Sequence, residues 1–337
     1  MSFSSPRRSL APSLEIGCRR NRLQSRIATA FAPGAITNFF SVHYDPSKDG
    51  NFRNAGATGG GYVLSRGVVT RAKFIPGSQE QTEIIVDGDP AYRATTTRKA
   101  VELLLDGHGH PRGGLVLEQS MQIPIGFGFG ASAAAAISGV YAVAAALGLR
   151  LLPKDIAYHA HVADIVQQTG LGTVSVTFEG TGAGAITKAG APGVSKFLNV
   201  NVPEGTRLVT ASLAPFRKSD ALSKPDTTRT INRLGDASLR RFVAEPTLER
   251  LATEGERFAE DLGLMTPKVL SLVRMAKDAG ASHASQNMIG HAVHALTPEG
   301  RAARVVKAFR ASPLKPRVEV LEVGIHPARV LEPLREG

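Results

Sequence analysis

The sequence predicts an α+β fold, and three observations support this prediction. The first half of the chain contains strand-like segments, some of them glycine-rich, separated by segments with apolar residues at helical spacing. An uncharged, Ala-rich stretch at residues 131–149 has the composition of a helix packed inside a soluble protein. The second half places two helical segments between two strand-like ones, and no internal repeat is visible.

Each predicted element has a local signal. Alternating or β-branched residues indicate strands, and a proline near the start or a glycine after the end delimits several helices. In the first half we predict strands at residues 27–40, 60–73, 82–86, 115–123 and 174–178, and helices at 95–105, 131–149 and 153–168. In the second half we predict strands at 208–213 and 318–323, helices at 239–262 and 267–279, and a polar, mobile flap at 219–236.

Length and composition favour two closely packed domains. A chain of 337 residues that is 42% hydrophobic can fill two cores. We place the boundary near the turn-forming residues 202–205. This gives domains at 27–203 and 204–337, preceded by a basic, disordered leader at 1–26.

The formal charge of +11 is concentrated at the start of the chain, where six arginines and one glutamate fall within the first 27 residues. The remaining body is mildly basic and lacks a dense Lys/Arg run with interleaved aromatic residues, which argues against nucleic acid as a partner. The only cysteine, Cys18, lies in the leader. We therefore expect no disulfide in the body, a cytoplasmic location and, because residues 131–149 are poor in large apolar side chains, no membrane span.

The strongest chemical signal is a glycine loop at residues 124–134 (PIGFGFGASAA), directly before the Ala-rich helix. Gly126, Gly128 and Gly130 allow unusual backbone torsions, and a helix start supplies free N–H groups and a positive dipole end. Ser132 could hydrogen-bond a phosphate or offer its hydroxyl to Mg²⁺. Spacing alone leaves two interpretations open, a phosphate-binding loop and a structural turn before a buried helix.

The loop resembles the central motif of the GHMP kinases (galactose, homoserine, mevalonate and phosphomevalonate kinases), Pro-x-x-x-Gly-Leu-Gly-Ser-Ser-Ala, with Phe129 in place of Leu and Ala131 in place of the first Ser. No Lys follows it, so it is not a Walker loop. Within that superfamily the sequence resembles the archaeal pantoate kinases. Their other signatures recur in order at residues 30–40 (AFAPGAITNFF), 59–70 (GGGYVLSRGVVT), 169–172 (TGLG) and 285–290 (SQNMIG).

The resemblance implies a GHMP kinase fold, with an N-terminal domain like ribosomal protein S5 domain 2, a C-terminal ferredoxin-like domain and an active site between them. It implies that ATP, with Mg²⁺, phosphorylates the 4-hydroxyl of (R)-pantoate to give (R)-4-phosphopantoate for coenzyme A biosynthesis. It assigns ATP phosphate binding to Pro124, Gly126, Gly128, Phe129, Gly130, Ala131, Ser132 and Ala133. The oligomeric state stays open, a homodimer included.

The implied catalytic residues include two departures from the family pattern. Ser132 and Asp164 would hold the Mg²⁺ ion, although the family usually has Glu where Asp164 stands. Thr173 stands where the relatives usually have the Asp taken as the catalytic carboxylate. Because threonine cannot act as a base near neutral pH, His161 or His43 is a candidate to replace that Asp.

Substrate recognition calls for a cation or clustered N–H groups facing the pantoate carboxylate. The candidates from position are Asn38, His43, Ser65, Arg66, Lys188, Ser285, Gln286 and Asn287. Some of these residues could instead have a purely structural role. Arg66 could be an exposed charge at the end of a strand, and residues 285–287 could form the N-cap of a helix.

The sequence leaves three functions open. The retained loop, Ser132 and the acidic residue at 164 favour an active pantoate kinase with rearranged groups. A second interpretation is a GHMP-type kinase of another small hydroxylated metabolite, such as homoserine, mevalonate or shikimate. A third is a non-catalytic nucleotide- or nucleic-acid-binding relative, suggested by Thr173 and the charge of +11.

Overall fold

A computed structural model describes residues 26–45, 52–180, 182–214, 225–288 and 290–331. The predicted leader, with Cys18, therefore lies outside the described residues except for Arg26. Residues 219–224 of the predicted flap and Ile289 of the last signature also lie outside them.

The strands form a seven-stranded sheet and a four-stranded sheet in the described part of the chain. The first contains β1 (Arg26–His43), β2 (Gly56–Pro76), β3 (Thr82–Val86), β4 (Gly113–Met121), β5 (Ala183–Lys188), β6 (Lys196–Val200) and β11 (Arg329–Leu331). Its order is β11-β1-β2-β4-β3, with β5 joining β2 to β6. The second contains β7 (Thr206–Ala214), β8 (His283–Gln286), β9 (His291–Pro298) and β10 (Arg317–Glu322), in the order β10-β7-β9-β8. With the helices described next, this confirms the predicted α+β class.

Helices cover the sheets. They are α1 (Thr95–His108), α2 (Ala131–Leu147), α3 (Pro153–Val166), α4 (Thr173–Glu179), α5 (Pro225–Ala244), α6 (Leu248–Leu262), α7 (Pro267–Asp278) and α8 (Glu299–Arg310). Helix α2 is the predicted Ala-rich helix, and it is buried along nearly its whole length between β1, β2 and the helices α1 and α3. Its small side chains allow this close packing on two sides. No helix among the described residues is long and apolar enough to cross a membrane.

Besides β1, strand β2 pairs with two other strands. Its second half pairs with β4 through residues 68–76, and its first half pairs with β5 through residues 59–62. Glycines at 59–61 let this half of β2 lie close to β1, because a Cβ at Gly59 or Gly61 would collide with the backbone of β1. The first half of β2 and β5 thereby form one wall of a large cavity.

The two halves of the chain share a core. Ile36 and Phe39 of β1 pack in one cluster with Phe242 of α5, Phe258 of α6 and Leu296 of β9. The Met288 N–H also donates to the Thr37 carbonyl at 3.0 Å, which joins β1 to the segment between β8 and β9. The second half of the chain thus contacts β1 directly, and β1 is one of the strands that line the cavity.

Three predicted elements are wrong. The alternation of Val174, Val176 and Phe178 indicated a strand, but residues 173–179 form α4, in which the Thr177 hydroxyl bonds the carbonyl of Val174 one turn earlier. The expected helix 239–262 is two helices that break at residues 245–247, where Pro246 cannot continue α5. The described part of the expected flap is the first part of α5 rather than an irregular segment.

Helix α6 is held against α5 by a buried charge. Glu254 is fully buried, and the Nε and Nη2 atoms of Arg241 lie 2.8–2.9 Å from its carboxylate oxygens. Arg257 adds a weaker contact at 3.4 Å. The next residue, Gly255, packs so closely on Asn38 that a Cβ there would lie 2.8 Å from Asn38 Cβ. The ion pair therefore holds α6 to α5, and the packing at Gly255 places α6 against β1.

Glu254→Gln should lower the free energy of unfolding by about 3 kcal/mol, because it leaves Arg241 half-buried beside a neutral group. Urea titration followed by far-UV circular dichroism measures the change. Glu260→Gln is the matched control, since Glu260 is exposed on the same helix and its loss should cost less than about 0.5 kcal/mol. Equal effects of the two substitutions would contradict this account of the α5–α6 contact.

Candidate active site

The glycine loop leads directly into α2. Gly126, Gly128 and Gly130 have φ values of 86°, 80° and 68°, in the left-handed region that favours glycine. Gly130 is the N-cap of α2 and provides no side-chain cap, so no side chain of the cap residue covers the first N–H groups of the helix. This end of a 17-residue helix can bind an anion.

Two backbone carbonyls of the loop are held from outside. The Ala35 N–H donates to the Phe129 carbonyl at 3.0 Å, and the Asn287 amide Nδ2 donates to the Phe127 carbonyl at 3.3 Å. The Phe129 side chain is itself buried in the core that the two halves share. The loop is therefore anchored before any ligand binds.

A cavity of about 970 Å³ lies beside the loop. Its walls come from β1, the first half of β2, β5, the end of α3 and the start of α4. Apolar side chains dominate the lining, including Phe39, Phe40, Ile165, Ile186 and Phe197. None of the described lining residues carries a formal charge.

Thr173 connects the cavity to the glycine loop. It lines the cavity as the first residue of α4, and a Cβ on Gly130 would lie 2.7 Å from its Cγ2 atom. Ala35 also lines the cavity while it holds the Phe129 carbonyl. A hydroxyl group bound in the cavity near Thr173 would thus lie next to the loop.

Asp164 and Ser132 lie on neighbouring helices. Asp164 is buried near the end of α3, and its Oδ1 atom accepts a hydrogen bond from the Thr169 hydroxyl at 2.7 Å. Gly170 leaves room for this carboxylate, because a Cβ there would collide with it. Ser132 is half-buried in the first turn of α2. A carboxylate and hydroxyls are the oxygen donors that Mg²⁺ prefers, so the donor set fits the ion that the resemblance implied.

The two candidate histidine bases differ in position. The His161 Nε2 atom lies 2.9 Å from the Phe52 carbonyl; because a carbonyl only accepts, Nε2 carries the proton. Burial lowers the pKa of His161, partly offset by backbone hydrogen bonds, and its side chain is not part of the cavity lining. His43 is exposed at the end of β1, but its Nε2 atom lies 3.0 Å from the hydroxyl of Thr58, which lines the cavity.

Several predicted substrate-binding residues lie outside the cavity lining. Ser65 and Arg66 are exposed on β2, and Lys188 is exposed at the end of β5. Asn38 is fully buried, and its Nδ2 atom donates to the Leu251 carbonyl at 3.2 Å. None of these four residues is part of the described cavity lining, so their contact with a substrate stays a prediction.

The third group of candidates is buried behind the loop. The Ser285 hydroxyl donates to the Gly255 carbonyl at 3.1 Å, and the Gln286 Nε2 atom donates to the Gly290 carbonyl at 2.8 Å. Asn287 lies between the Phe127 carbonyl and the ring of His294. The N-cap alternative does not apply, because residues 283–286 form β8 and Asn287 follows it in a loop.

Sequence reasoning missed most polar groups of the cavity. They are Thr37, Tyr44, Thr58, Tyr62, Gln168 and Thr228. Thr37 and Tyr62 fall within the quoted signatures, so their position was a usable signal, whereas Thr58 precedes the triple glycine without any mark of its own. Gln168 has a positive φ of 54° at the end of α3, and Thr228 lies in the segment misread as a flap.

His294 is buried between the second sheet and the cavity wall. Its ring packs edge-on against Tyr62, with centroids 5.6 Å apart. Burial lowers the pKa of His294 to about 4, against a smaller opposite effect of the Glu256 carboxylate. Burial also raises the pKa of the Tyr62 hydroxyl. Both groups are therefore neutral near pH 7.

Comparison with known families finds a match over the part of the chain that contains the glycine loop. Residues 95–180 match the family model described as the GHMP kinases N terminal domain. That stretch contains the glycine loop, α2, Asp164 and Thr173. The chain has the GHMP kinase fold, which confirms the predicted fold family.

Two curated relatives carry the same name. The pantoate kinase of Methanospirillum hungatei is 28% identical over 283 residues, which span 83% of this chain and 90% of that protein. The pantoate kinase of Thermococcus kodakarensis is 28% identical over 283 residues, spanning 82% and 89%. The resemblance to archaeal pantoate kinases is confirmed.

Solved structures extend the comparison. A protein described as a phosphotransferase related to the CoA biosynthesis pathway has a TM-score of 0.79 at 26% identity, over 91% of this chain and 99% of that one. The homoserine kinase of Cytophaga hutchinsonii has a TM-score of 0.65 at 16% identity, over 94% and 100%. The second similarity concerns the fold alone.

We expect the free energy of unfolding to fall as the pH drops from about 6.5 to about 4, because the unfolded chain binds a proton at His294 in this range and the folded chain does not. The contribution of this group is roughly 3 kcal/mol. Urea titrations at pH 4, 5, 6 and 7 measure it. Burial also lowers the pKa values of His159 and His161, so they add to the slope with the same sign.

His294→Asn isolates the share of His294, since asparagine cannot titrate. The variant should show a shallower pH dependence than the wild type over the same range. His326→Asn, at an exposed histidine, is the control and should change the slope much less than His294→Asn does. Parallel curves for the wild type and His294→Asn would rule out this assignment.

Proposed function

We propose that this chain, which has the GHMP kinase fold and pantoate kinase homologues, is an ATP-dependent pantoate kinase. The 4-hydroxyl oxygen of (R)-pantoate bonds to the γ-phosphorus of ATP, and the bond from that phosphorus to the β–γ bridging oxygen breaks. The products are (R)-4-phosphopantoate, ADP and the proton of the hydroxyl. The product enters coenzyme A biosynthesis.

One juxtaposition carries the proposal. A glycine loop at the start of a long helix, suited to phosphate, meets at Thr173 a cavity suited to a small hydroxylated molecule. Phosphoryl transfer requires mainly that donor and acceptor be positioned in line and that developing charge be neutralised. Two adjoining sites of this kind meet the first requirement.

The loop and α2 are the proposed ATP phosphate site. Backbone N–H groups of residues 126–133 would face the phosphates, with the positive end of the α2 dipole behind them. Ser132 and Asp164 would hold Mg²⁺, which when bound neutralises charge on the β- and γ-phosphates. Thr169, bonded to Asp164, would keep that carboxylate in place.

The cavity chemistry favours pantoate over homoserine. Pantoate carries two methyl groups on C3, which suit the apolar lining. Homoserine carries an ammonium group, and the described lining residues include no Asp or Glu to pair with it. We propose that hydroxyls of Thr37, Thr58 and Thr228 bind the polar groups of pantoate, since Arg66 and Lys188 lie outside the lining.

Thr173 and His43 have distinct proposed roles. The Thr173 hydroxyl would accept a hydrogen bond from the pantoate 4-hydroxyl and so orient its oxygen towards the loop. His43 would take up the released proton through Thr58, whose hydroxyl it contacts at 3.0 Å. A loose transition state leaves most of the proton on the hydroxyl until late, so a distant acceptor is sufficient.

Three broader expectations remain proposals. We propose domains at residues 27–203 and 204–337, because the first sheet is built mainly from the former range and the second sheet entirely from the latter. We propose Mg²⁺ as the metal on the oxygen donors named above. We propose action in the cytoplasm, where ATP is available, with ATP and pantoate as partners.

A coupled ADP-release assay across pantoate, homoserine, mevalonate and shikimate tests the function. Turnover should be at least a hundredfold more efficient with pantoate, because the other acceptors differ in charge or shape at the same cavity. Turnover of another acceptor in place of pantoate would identify a different GHMP-type kinase. Absence of turnover with all four would overturn the proposed function.

Ser132→Ala separates a kinase from a binding protein. It should lower kcat by about a hundredfold, as expected when a group that stabilises transferring charge is removed. Ser120→Ala, at an exposed position on β4, is the matched control. If the chain instead acted by binding nucleic acid, both variants would retain the same salt-sensitive affinity.

Thr173→Val tests the acceptor hydroxyl. Valine keeps the methyl group against Gly130 and replaces the hydroxyl with a methyl group of similar size, so the fold should be unchanged. We expect kcat to fall about tenfold with little change in the KM for ATP, as for loss of one hydrogen bond at the reacting group. Unchanged kcat would show that Thr173 fills space and does not orient the acceptor.

A further inference from the structure

We propose that Asn287, oriented by His294, is a positioning residue that fixes the glycine loop in its ATP-binding conformation. The inference rests on the proposed function only in that the loop binds ATP. It assigns Asn287 to the loop instead of the substrate, and it gives a role to a buried histidine that the phosphoryl-transfer scheme above leaves unused.

The contact between Asn287 and the loop is close on two counts. The Asn287 Nδ2 atom donates to the Phe127 carbonyl at 3.3 Å. A Cβ on Gly128 would lie 2.9 Å from Asn287 Cβ, so the backbone of the loop lies directly against the asparagine. On the other side, a Cβ on Gly290 would lie 2.7 Å from the same Phe127 carbonyl oxygen.

His294 determines which way the Asn287 amide faces. Its Nδ1 atom lies 2.9 Å from Asn287 Oδ1, and an amide oxygen only accepts hydrogen bonds. Nδ1 must therefore carry a proton and donate it. This leaves the Nδ2 group of Asn287 facing the Phe127 carbonyl, and the opposite amide orientation would set an oxygen against an oxygen.

The backbone around Asn287 is fixed as well. Its N–H donates to the Ala292 carbonyl at 2.8 Å, and the next N–H, of Met288, donates to the Thr37 carbonyl of β1. Asn287 is completely buried and His294 is 3% exposed. The side chain therefore acts as a rigid support and does not move freely with the loop.

The consequence for ATP follows from peptide geometry. In a trans peptide the C=O and N–H groups point in opposite directions. Holding the Phe127 carbonyl towards Asn287 points the Gly128 N–H away from it, and holding the Phe129 carbonyl towards Ala35 does the same for the Gly130 N–H. Two alternate N–H groups are thus aimed before the phosphates arrive, which lowers the entropic cost of binding them.

Nucleotide binding without acceptor gives the direct test, by calorimetry with ATP and Mg²⁺ on the full chain. Asn287→Ala should weaken ATP binding about five- to tenfold, as for one lost hydrogen bond. Asn287→Asp should weaken it at least as much, because a carboxylate cannot donate to the Phe127 carbonyl. In turnover assays the KM for ATP should rise while the KM for pantoate changes less than twofold. Asn201→Ala, at an exposed position, is the control.

Variants of His294 provide a second, milder test. In an asparagine at position 294, the amide nitrogen can occupy the position of the histidine Nδ1 atom and donate to Asn287. In a glutamine, the amide nitrogen lies near the position of the histidine Nε2 atom and cannot make this hydrogen bond. His294→Asn should therefore retain ATP affinity within twofold, and His294→Gln should lose about fivefold. Nitrogen NMR of the wild-type protein should show the proton of the His294 ring on Nδ1. The ring signals of His294 are identified as those that are absent from the spectrum of His294→Asn.

The outcomes are distinct. Unchanged ATP affinity in both Asn287 variants, or a proton on Nε2 of His294, would overturn the positioning role even if both variants were less stable. A wild type that binds ATP but does not turn over pantoate would overturn the proposed function alone. A wild type that binds no ATP would overturn both proposals.

Discussion

The site depends on one constraint: the peptide groups of the glycine loop must be held from outside, because the glycines impose no conformation of their own. Glycine adopts left-handed torsions without steric penalty. It is also the residue that loses the most backbone conformational entropy on folding, which is a cost to stability. The fold meets this cost with partners from two distant parts of the sequence, Ala35 on β1 and Asn287 beyond β8. Each partner is itself fixed, since Ala35 pairs with Val63 of β2 and Asn287 is buried. The phosphate site is therefore a product of tertiary structure, although its motif is local.

The sequence predicted the loop well and its surroundings less well, for a physical reason. Three glycines before an Ala-rich helix have a local consequence, because glycine permits the left-handed torsions that Gly126, Gly128 and Gly130 adopt. The misread strand at residues 174–178 shows the limit: β-branched residues favour a strand, yet Ser175 bonds the Gly190 carbonyl and the segment is helical. The role of His161 could not be read from spacing either, because its partner, the Phe52 carbonyl, is 109 positions away.

The uncharged lining of the cavity indicates that binding of the acceptor and neutralisation of phosphate charge fall to different residues. Basic residues chosen by position, Arg66 and Lys188, lie on the surface, whereas threonine hydroxyls face the cavity. Hydroxyls and apolar groups recognise shape and hydrogen bonding. In the proposed assignment, the charge of the phosphates and of the metal is met by the α2 terminus and by Asp164. A neutral Thr173 fits this division, because an anion there would face the incoming phosphates.

The three successive glycines of β2 have a consequence for how such a protein can change during evolution. Because these residues have no side chains, the wall they form is pure backbone and offers little that substitution can alter without separating the strands. Variation in ligand preference must then arise on the opposite wall, from the end of α3, the start of α4 and Thr228 of α5. A comparison of sequences that differ in acceptor should accordingly show a constant strand facing a variable helical border.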